Sequence, residues 1–390
     1  MPVVTVPVGP QHPALHEPLL LRVHLSGEEV VGVEIVTGYN HRGIEKLAEE
    51  HTWLQALYIV TRVCGICNMM HSTCYTQALE EILGVEPPPR ALALRTLAME
   101  LERMHSHMLL AAVMAENIGL TSLFMQIMKE REAVMHAKEV LTGNRVIADY
   151  VWPGGVRRDI TPEQAERIRG LVRQARKALA WIREVYESDS LIAERLEGVG
   201  KISGSEAVRY GLMGPTLRAS GIGFDTRRAY PYAWYPELSF EVKTRKEGDC
   251  LARVLLRIDE AEESARIIEE ILDRLPGGPT RGLRVPPRVV KPGESVSRVE
   301  APRGELLYHV VSRGGRKPYR VKIRTPSFPN ILNTVFAYRG ALLSDVPVIL
   351  TSFDPCISCM ERLLVVDEDT GEERVVSVRS LLRRRSKAGG

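Results

Sequence analysis

Two cysteine pairs near opposite ends of the chain constrain its folding more than any other feature. The first is Arg62-Val63-Cys64-Gly65-Ile66-Cys67, followed by His71, and the second is Phe353-Asp354-Pro355-Cys356-Ile357-Ser358-Cys359. A Cys-x-x-Cys spacing lets two thiolates from one turn of backbone grip a single metal centre. Nearly three hundred residues separate the pairs, so one shared site requires a fold that brings both ends of the chain together. Four thiolates with a histidine nearby suit a soft transition-metal centre. The competing readings are a redox dithiol or a zinc half-site at each pair, or one structural zinc site made by all four. Zinc ribbons bracket a short loop, whereas here the loop is most of the protein.

The other two cysteines, Cys74 and Cys250, have no partner spacing and read as buried thiols. Four of six cysteines in such pairs point to metal or redox chemistry rather than a secreted disulfide framework. A net charge of +3, with no basic patch among aromatics before the tail, argues against nucleic acid as a partner. No stretch approaches the run of about 20 apolar residues that spans a bilayer. The N-terminus, Met1-Pro-Val-Val-Thr-Val-Pro-Val-Gly9, lacks the basic start and apolar core of a signal peptide. The expectation is a cytoplasmic protein whose membrane role comes through partner subunits.

Residues 3–8 and 19–37 alternate apolar and polar and predict short strands. Between them, Gly9-Pro10-Gln11-His12-Pro13-Ala14-Leu15-His16-Glu17-Pro18 is stiffened by three prolines into a loop. From His41 to Gly84 the pattern is helical, interrupted at the first cysteine pair. Helices are predicted over about 90–117, with Leu94, Leu97, Leu101, Met104 and Met108 at helical spacing, over about 121–142, and from Thr161-Pro162 to about 198. Residues 211–235 read as loop, 248–273 as an amphipathic helix and 276–292 as a connector. Strands are predicted around the turn Arg313-Gly-Gly-Arg316. The chain has the length for two domains or more. It reads nonetheless as one α+β unit: a β and loop segment (1–40), a helical bundle with the first pair (41–200), a loop and helix (201–300), a β segment with the second pair (301–362) and a tail (363–390). The two ends are expected to converge on one buried metal site.

Arg-Val-Cys-Gly-Ile-Cys with His71, together with Asp-Pro-Cys-Ile-Ser-Cys, resembles the large catalytic subunit of [NiFe]-hydrogenases. Further stretches carry the resemblance over almost the whole chain: Gly9-Pro-Gln-His12-Pro-Ala, Gly38-Tyr-Asn-His41-Arg42-Gly43-Ile-Glu45-Lys46, Gly214-Pro-Thr-Leu-Arg218-Ala-Ser-Gly221, Ala301-Pro-Arg303-Gly-Glu305 and Pro318-Tyr-Arg-Val-Lys-Ile-Arg324. These are similar to the energy-converting, membrane-associated branch and its relative, the 49-kDa-type subunit of respiratory complex I. In the family, the complex I subunit has lost the cysteines, serves quinone and has glycine after the second histidine of the first loop. This chain keeps all four cysteines and has Glu17 there, which favours the hydrogenase.

The resemblance implies a nickel–iron centre, its iron carrying CO and CN ligands. Cys64 and Cys356 would be terminal on nickel, and Cys67 and Cys359 would bridge to iron. It also implies Glu17 as a proton relay, Arg303 over the open side of the metals held by Asp354, and His71 as a hydrogen-bond donor to a cysteine sulfur. Glu45 resembles a residue near a secondary Mg2+ site. His12, His16 and His41 lie in loops shared with the quinone branch. Arg362 stands where better-known hydrogenases end in histidine, which resembles the energy-converting branch, and residues 363–390 resemble a maturation peptide. The implied partners are an iron–sulfur small subunit and membrane-embedded ion-translocating subunits, with H2 and protons as substrates, on the cytoplasmic side of the membrane. The alternative within the fold is a complex I-like or sulfur-reducing module subunit acting as a scaffold. A zinc-stapled assembly protein is a third reading.

Overall fold

The computed structural model describes residues 2–283 and 288–360, with the backbone of 365–366 and 373–374. Arg362 and most of the tail expected to be a maturation peptide lie outside the described residues.

Strands β1 (Val3–Val8), β2 (Leu20–Ser26) and β3 (Glu29–Val36) form an antiparallel sheet in that order. In β2 the alternation decides the faces: Leu21, Val23 and Leu25 are buried, and Arg22 and His24 point outward. The loop between β1 and β2 is closed at its base. Leu19 N–H donates to the Pro10 carbonyl, and Gly9, at φ 105°, lies so near Leu19 that a Cβ would stand 2.0 Å from its carbonyl oxygen. That closure fixes the loop carrying Glu17.

The helical stretch follows as α1 (Ile44–Glu50), α2 (Trp53–Thr61), α3 (Asn68–Leu83), α4 (Pro89–Asn117) and α5 (Thr121–Thr142). The first cysteine pair occupies the break between α2 and α3, with Cys67 as the residue that opens α3. After the small ribbon β4 (Val151–Trp152) and β5 (Gly155–Val156) comes α6 (Pro162–Ser188), started by a reciprocal box between Thr161 and Gln164. Then come α7 (Ser190–Leu196) and α8 (Gly204–Arg209). The stretch read as loop, 211–235, contains two single turns, α9 (Pro215–Arg218) and α10 (Thr226–Ala229). Asp249 caps α11 (Cys250–Asp273) by accepting the Ala252 N–H.

Helix α4 packs against α5 and α11, and α6 packs against the same two. The apolar stripe foreseen on α4 understates its burial. Arg95, Glu100, Glu102, Arg103, His105, Ser106 and His107 are buried as well, because neighbours surround the helix. Each such group needs a partner inside.

A second antiparallel sheet runs β6 (Gly293–Ala301), β7 (Gly304–Ser312), β8 (Arg320–Arg324). The sequence pattern predicts the second and third of these but not β6, whose alternation is inverted. Ser295 and Ser297 are buried while Val296 is half exposed, since the serines bond Glu81 and the Cys74 carbonyl of α3. Short helices α12 (Ser327–Leu332) and α13 (Val346–Ser352) lead to the second cysteine pair, and β9 (Val365–Val366) pairs with β10 (Glu373–Arg374).

Candidate metal centre

The fold brings the two cysteine pairs together. Cys356 Sγ lies 3.4 Å from Cys64 Sγ and 2.8 Å from Cys359 Sγ. Cys64, Cys356 and Cys359 form one group of donor atoms within 4.8 Å of one another, and Cys67, His71 and Cys359 form a second. Cys359 belongs to both, so the four sulfurs and one imidazole make a continuous soft-donor set. All four thiols are buried and none is in a disulfide.

Their proton chemistry follows from crowding in a dry pocket. The Cys64 thiol is held well below its ordinary range, because Cys356, Cys359 and Cys67 can all donate to its sulfur. Cys359 is pushed well above, being the donor toward Cys356, Cys64 and Cys67 and buried besides. A bond from Cys359 pulls Cys67 and Cys356 down, but the bonds they give to Cys64 and their burial outweigh it, so both end high. Such a cluster carries its first negative charge at Cys64, and further deprotonation needs a cation among the sulfurs. The donor set therefore fits a thiolate-bound soft metal.

Each loop is held by backbone bonds. The N–H groups of Ile66 and Cys67 donate to Cys64 Sγ at 3.3 Å. Behind this loop, Glu102 accepts the N–H groups of Met69 at 2.7 Å and Met70 at 3.2 Å, the free donors at the start of α3. Lys138 lies 3.7 Å from the same carboxylate. Burial pushes Glu102 up to about 8, against the pull of Lys138.

On the second loop, Glu17 accepts the N–H of Ile357 at 2.6 Å and that of Ser358 at 3.1 Å, and the Ser358 hydroxyl also donates to it. Asn40 Nδ2 donates to Glu17 at 3.2 Å and to the Ser358 hydroxyl at 3.3 Å. Arg42 donates to the carbonyls of Arg62 at 2.7 Å, Val63 at 2.9 Å and Ser358 at 2.9 Å.

Arg303, 3% exposed, donates through Nε to the Asp354 carbonyl at 2.7 Å and through Nη2 to its carboxylate at 2.6 Å. Asp354 stands at φ 56°, in the left-handed region that a short polar side chain such as aspartate enters more readily than most. Burial works against the charge on Arg303, but Asp354 and the facing cysteines outweigh it and hold the guanidinium protonated. The turn bearing Arg303 is pressed onto the 214–221 motif. A Cβ on Gly214, at φ 63°, would stand 2.4 Å from Gly304 Cα.

His71 makes a 2.7 Å hydrogen bond through Nδ1 with the Tyr308 hydroxyl, and its Nε2 lies 3.9 Å from Cys359 Sγ. Burial pushes His71 down to about 4, so the ring is neutral at pH 7. Glu45 is engaged elsewhere: Arg320 donates to it at 2.9 Å, the Ile323 N–H at 3.0 Å, and Lys322 lies 3.5 Å away. Among the described residues the sequence reading named Glu17, Arg303, Asp354, His71 and the cysteines, and the fold gathers them. It did not single out Arg42, Asn40, Glu102, Lys138 or Tyr308. Only Arg42 and Asn40 had a signal, their place in the Gly38–Lys46 motif.

An apolar cavity of about 220 Å³ adjoins the centre, with Glu17, Arg303 and Asp354 in its wall and Leu15, Leu109 and Val113 among its apolar residues. Burial also pushes the Cys74 thiol, which lies outside the gathered donor set, up to about 12.

A family model described as the 49 Kd subunit of respiratory-chain NADH dehydrogenase matches residues 117–291 and 280–362. One described as nickel-dependent hydrogenase matches residues 42–111. The chain is 41% identical to a carbon monoxide-induced hydrogenase of Rhodospirillum rubrum, covering 93% of this chain and 100% of that one. It is 37% identical to the alpha subunit of the membrane-bound hydrogenase of Pyrococcus furiosus, over 97% and 92%. A subunit of the F(420)H(2) dehydrogenase of Methanosarcina mazei is 39% identical, over 92% and 97%. Among solved structures the chain is similar to one of the membrane-bound sulfane sulfur reductase, an archaeal respiratory membrane complex, with a TM-score of 0.87 at 37% identity, covering 92% and 98%. The chain belongs to the family that unites the large subunits of nickel-dependent hydrogenases with the 49-kDa-type subunit of respiratory-chain NADH dehydrogenase.

Proposed function

We propose that this chain is the catalytic large subunit of a membrane-associated, energy-converting [NiFe]-hydrogenase, interconverting H2 with protons and electrons. The observation that carries the reading is the gathering of four buried, unbridged cysteines into one donor set. Its relatives include hydrogenases, a dehydrogenase subunit and a chain of a sulfur-reducing complex, so similarity alone does not choose among activities. The retained thiols favour metal chemistry over a scaffold. Cys64, Cys67, Cys356 and Cys359 would together hold the nickel–iron pair. When bound, such a pair supplies Lewis acidity and the redox capacity for cleaving and forming H2.

The chain's own groups divide the remaining work. Glu17 is bonded to the turn between Cys356 and Cys359, at the wall of the apolar cavity, and would carry protons between the sulfurs and the outside. Arg303, fixed by Asp354, presents a permanent positive charge toward the anionic sulfurs. Neutral His71, oriented by Tyr308 at Nδ1, would donate a hydrogen bond from Nε2–H to Cys359 Sγ, keeping its proton. We assign Glu45 a place near a Mg2+ site only through the family resemblance, since two cations already surround it. Electrons would leave through an iron–sulfur small subunit. Among the described residues no helix is long and apolar enough to cross a membrane; anchoring would come through membrane-embedded partners, on the cytoplasmic side by the family resemblance.

The similarity to a chain of the sulfane sulfur reductase favours one second reading, a sulfur-reducing or complex I-like subunit without a working nickel–iron pair. Elemental analysis of the native complex separates the two. The proposal expects about one nickel for each copy of this chain, over and above the iron of the small subunit's clusters, together with H2-dependent dye reduction. Iron without nickel, and no H2 activity, would favour the second reading.

A further inference from the structure

Among the described residues, one guanidinium on the solvent side bonds both cysteine loops. Arg42 belongs to an exposed turn, yet among the described residues it donates to three carbonyls immediately beside the cysteines. Val63 O precedes Cys64, Ser358 O precedes Cys359, and Arg62 O lies one residue further back. Arg62 and Val63 follow directly on α2, where the helix presents its partial negative charge, so a fixed cation is favoured there. The planar fork can reach consecutive carbonyls on one loop and a third on the other, which a lysine ammonium cannot do with fixed geometry.

The backbone of the turn fits this task. Gly38 and Gly43 take φ values of 110° and 66°, and Asn40, two residues before Arg42, reaches the second cysteine loop from the same turn through Ser358 and Glu17. Two segments that are far apart in sequence are thus tied by one short turn, and the tie does not involve the buried core.

We propose that Arg42 is the positioning residue that clasps the Cys64–Cys67 loop to the Cys356–Cys359 loop, setting the separation of the two thiol pairs and slowing the loss of any metal they share. The inference rests on the metal-site reading above. It does not require that the metal be nickel or that the chain turn over H2.

The test uses the full-length chain, metal-free and under argon, with Co2+ as the probe, because thiolate-to-cobalt charge-transfer absorption reports how many sulfurs bind and in what geometry. In R42A, and in R42K, the clasp predicts Co2+ release to a chelator at least about tenfold faster than in the parent chain, the loss of one or more charge-assisted bonds. It also predicts an altered charge-transfer band, which a uniform loss of stability would not produce. R42K keeps the charge, so a deficit in it assigns the effect to the fork. Parent-like release rates and spectra in both variants would overturn the proposal. A parent chain that binds Co2+ through four sulfurs but contains no nickel when native would count against the hydrogenase reading and leave the clasp standing.

Discussion

The carboxylate of Glu17 accepts the backbone N–H of Ile357 at 2.6 Å. A loop from the first twenty residues is thereby bonded to the segment between the last two cysteines. The same carboxylate takes the Ser358 N–H, so it caps the turn that aims Cys356 and Cys359 and is placed beside their sulfurs. The proposed proton relay and the observed cap on the turn thus fall on one side chain, and substitutions can separate them.

Replacing Glu17 by glutamine keeps an acceptor for the turn and removes the titrating group. For E17Q the account predicts nickel and iron content near that of the parent, with H2 turnover and H/D exchange reduced by about 10² or more. E17A, which also frees the Ile357 and Ser358 N–H groups, should in addition lose metal. Full H/D exchange in E17Q would remove Glu17 from the proton path.

The Arg303–Asp354 pair is buried at both ends. D354N suits the site's backbone, because asparagine tolerates the left-handed region that Asp354 occupies. It leaves Arg303 without its main counter-charge, which costs about 3–5 kcal/mol for a buried pair broken on one side. Denaturant titration should register that loss, and turnover should fall by about 10–100-fold as the guanidinium loses its orientation. An unchanged midpoint would mean that the Asp354 charge does not hold Arg303 in place.

Much of this centre was legible in the chain itself. The pairs are marked by their spacing, Glu17, Arg303, Asp354 and His71 by the resemblance of the motifs around them to a known family, and the long helices by periodicity and caps. What stayed hidden is polar and internal. Glu102 looks like one more solvated carboxylate on α4 until α3 and Lys138 are placed against it. β6 escapes because its buried positions are serines that bond α3. Tyr308 matters only through the register of β7 beside His71.

The cysteines provide an internal control. Cys74 is buried like the other four, but its sulfur bonds Ser297 and the Leu306 carbonyl and belongs to neither group of gathered donor atoms. C74A should keep its metal, whereas C64S should lose nickel at least about tenfold faster, serine being a poor ligand for a soft metal. Elemental analysis of the two purified variants checks this, and equal metal loss would contradict it.

Acid should destabilise the fold over a defined window. His71 and His107 are each pushed down to about 4 by burial, against an unfolded value near 6.5. The unfolded chain therefore binds more protons than the native one between these values. Stability is fully present above pH 6.5 and is lost as pH falls toward 4, by about 3 kcal/mol for each histidine. Denaturant midpoints at pH 7, 6 and 5 should fall steadily, and H107Q should flatten the slope. A midpoint independent of pH over this range would show that the rings are already charged or exposed.

The most direct test of the central claim is the infrared spectrum of the native complex, prepared without air, in the region of metal-bound carbonyl and cyanide stretches, where no side chain absorbs. The account predicts bands there that shift under H2. A spectrum without such bands, from complex that has kept its nickel and iron, would contradict the nickel–iron assignment.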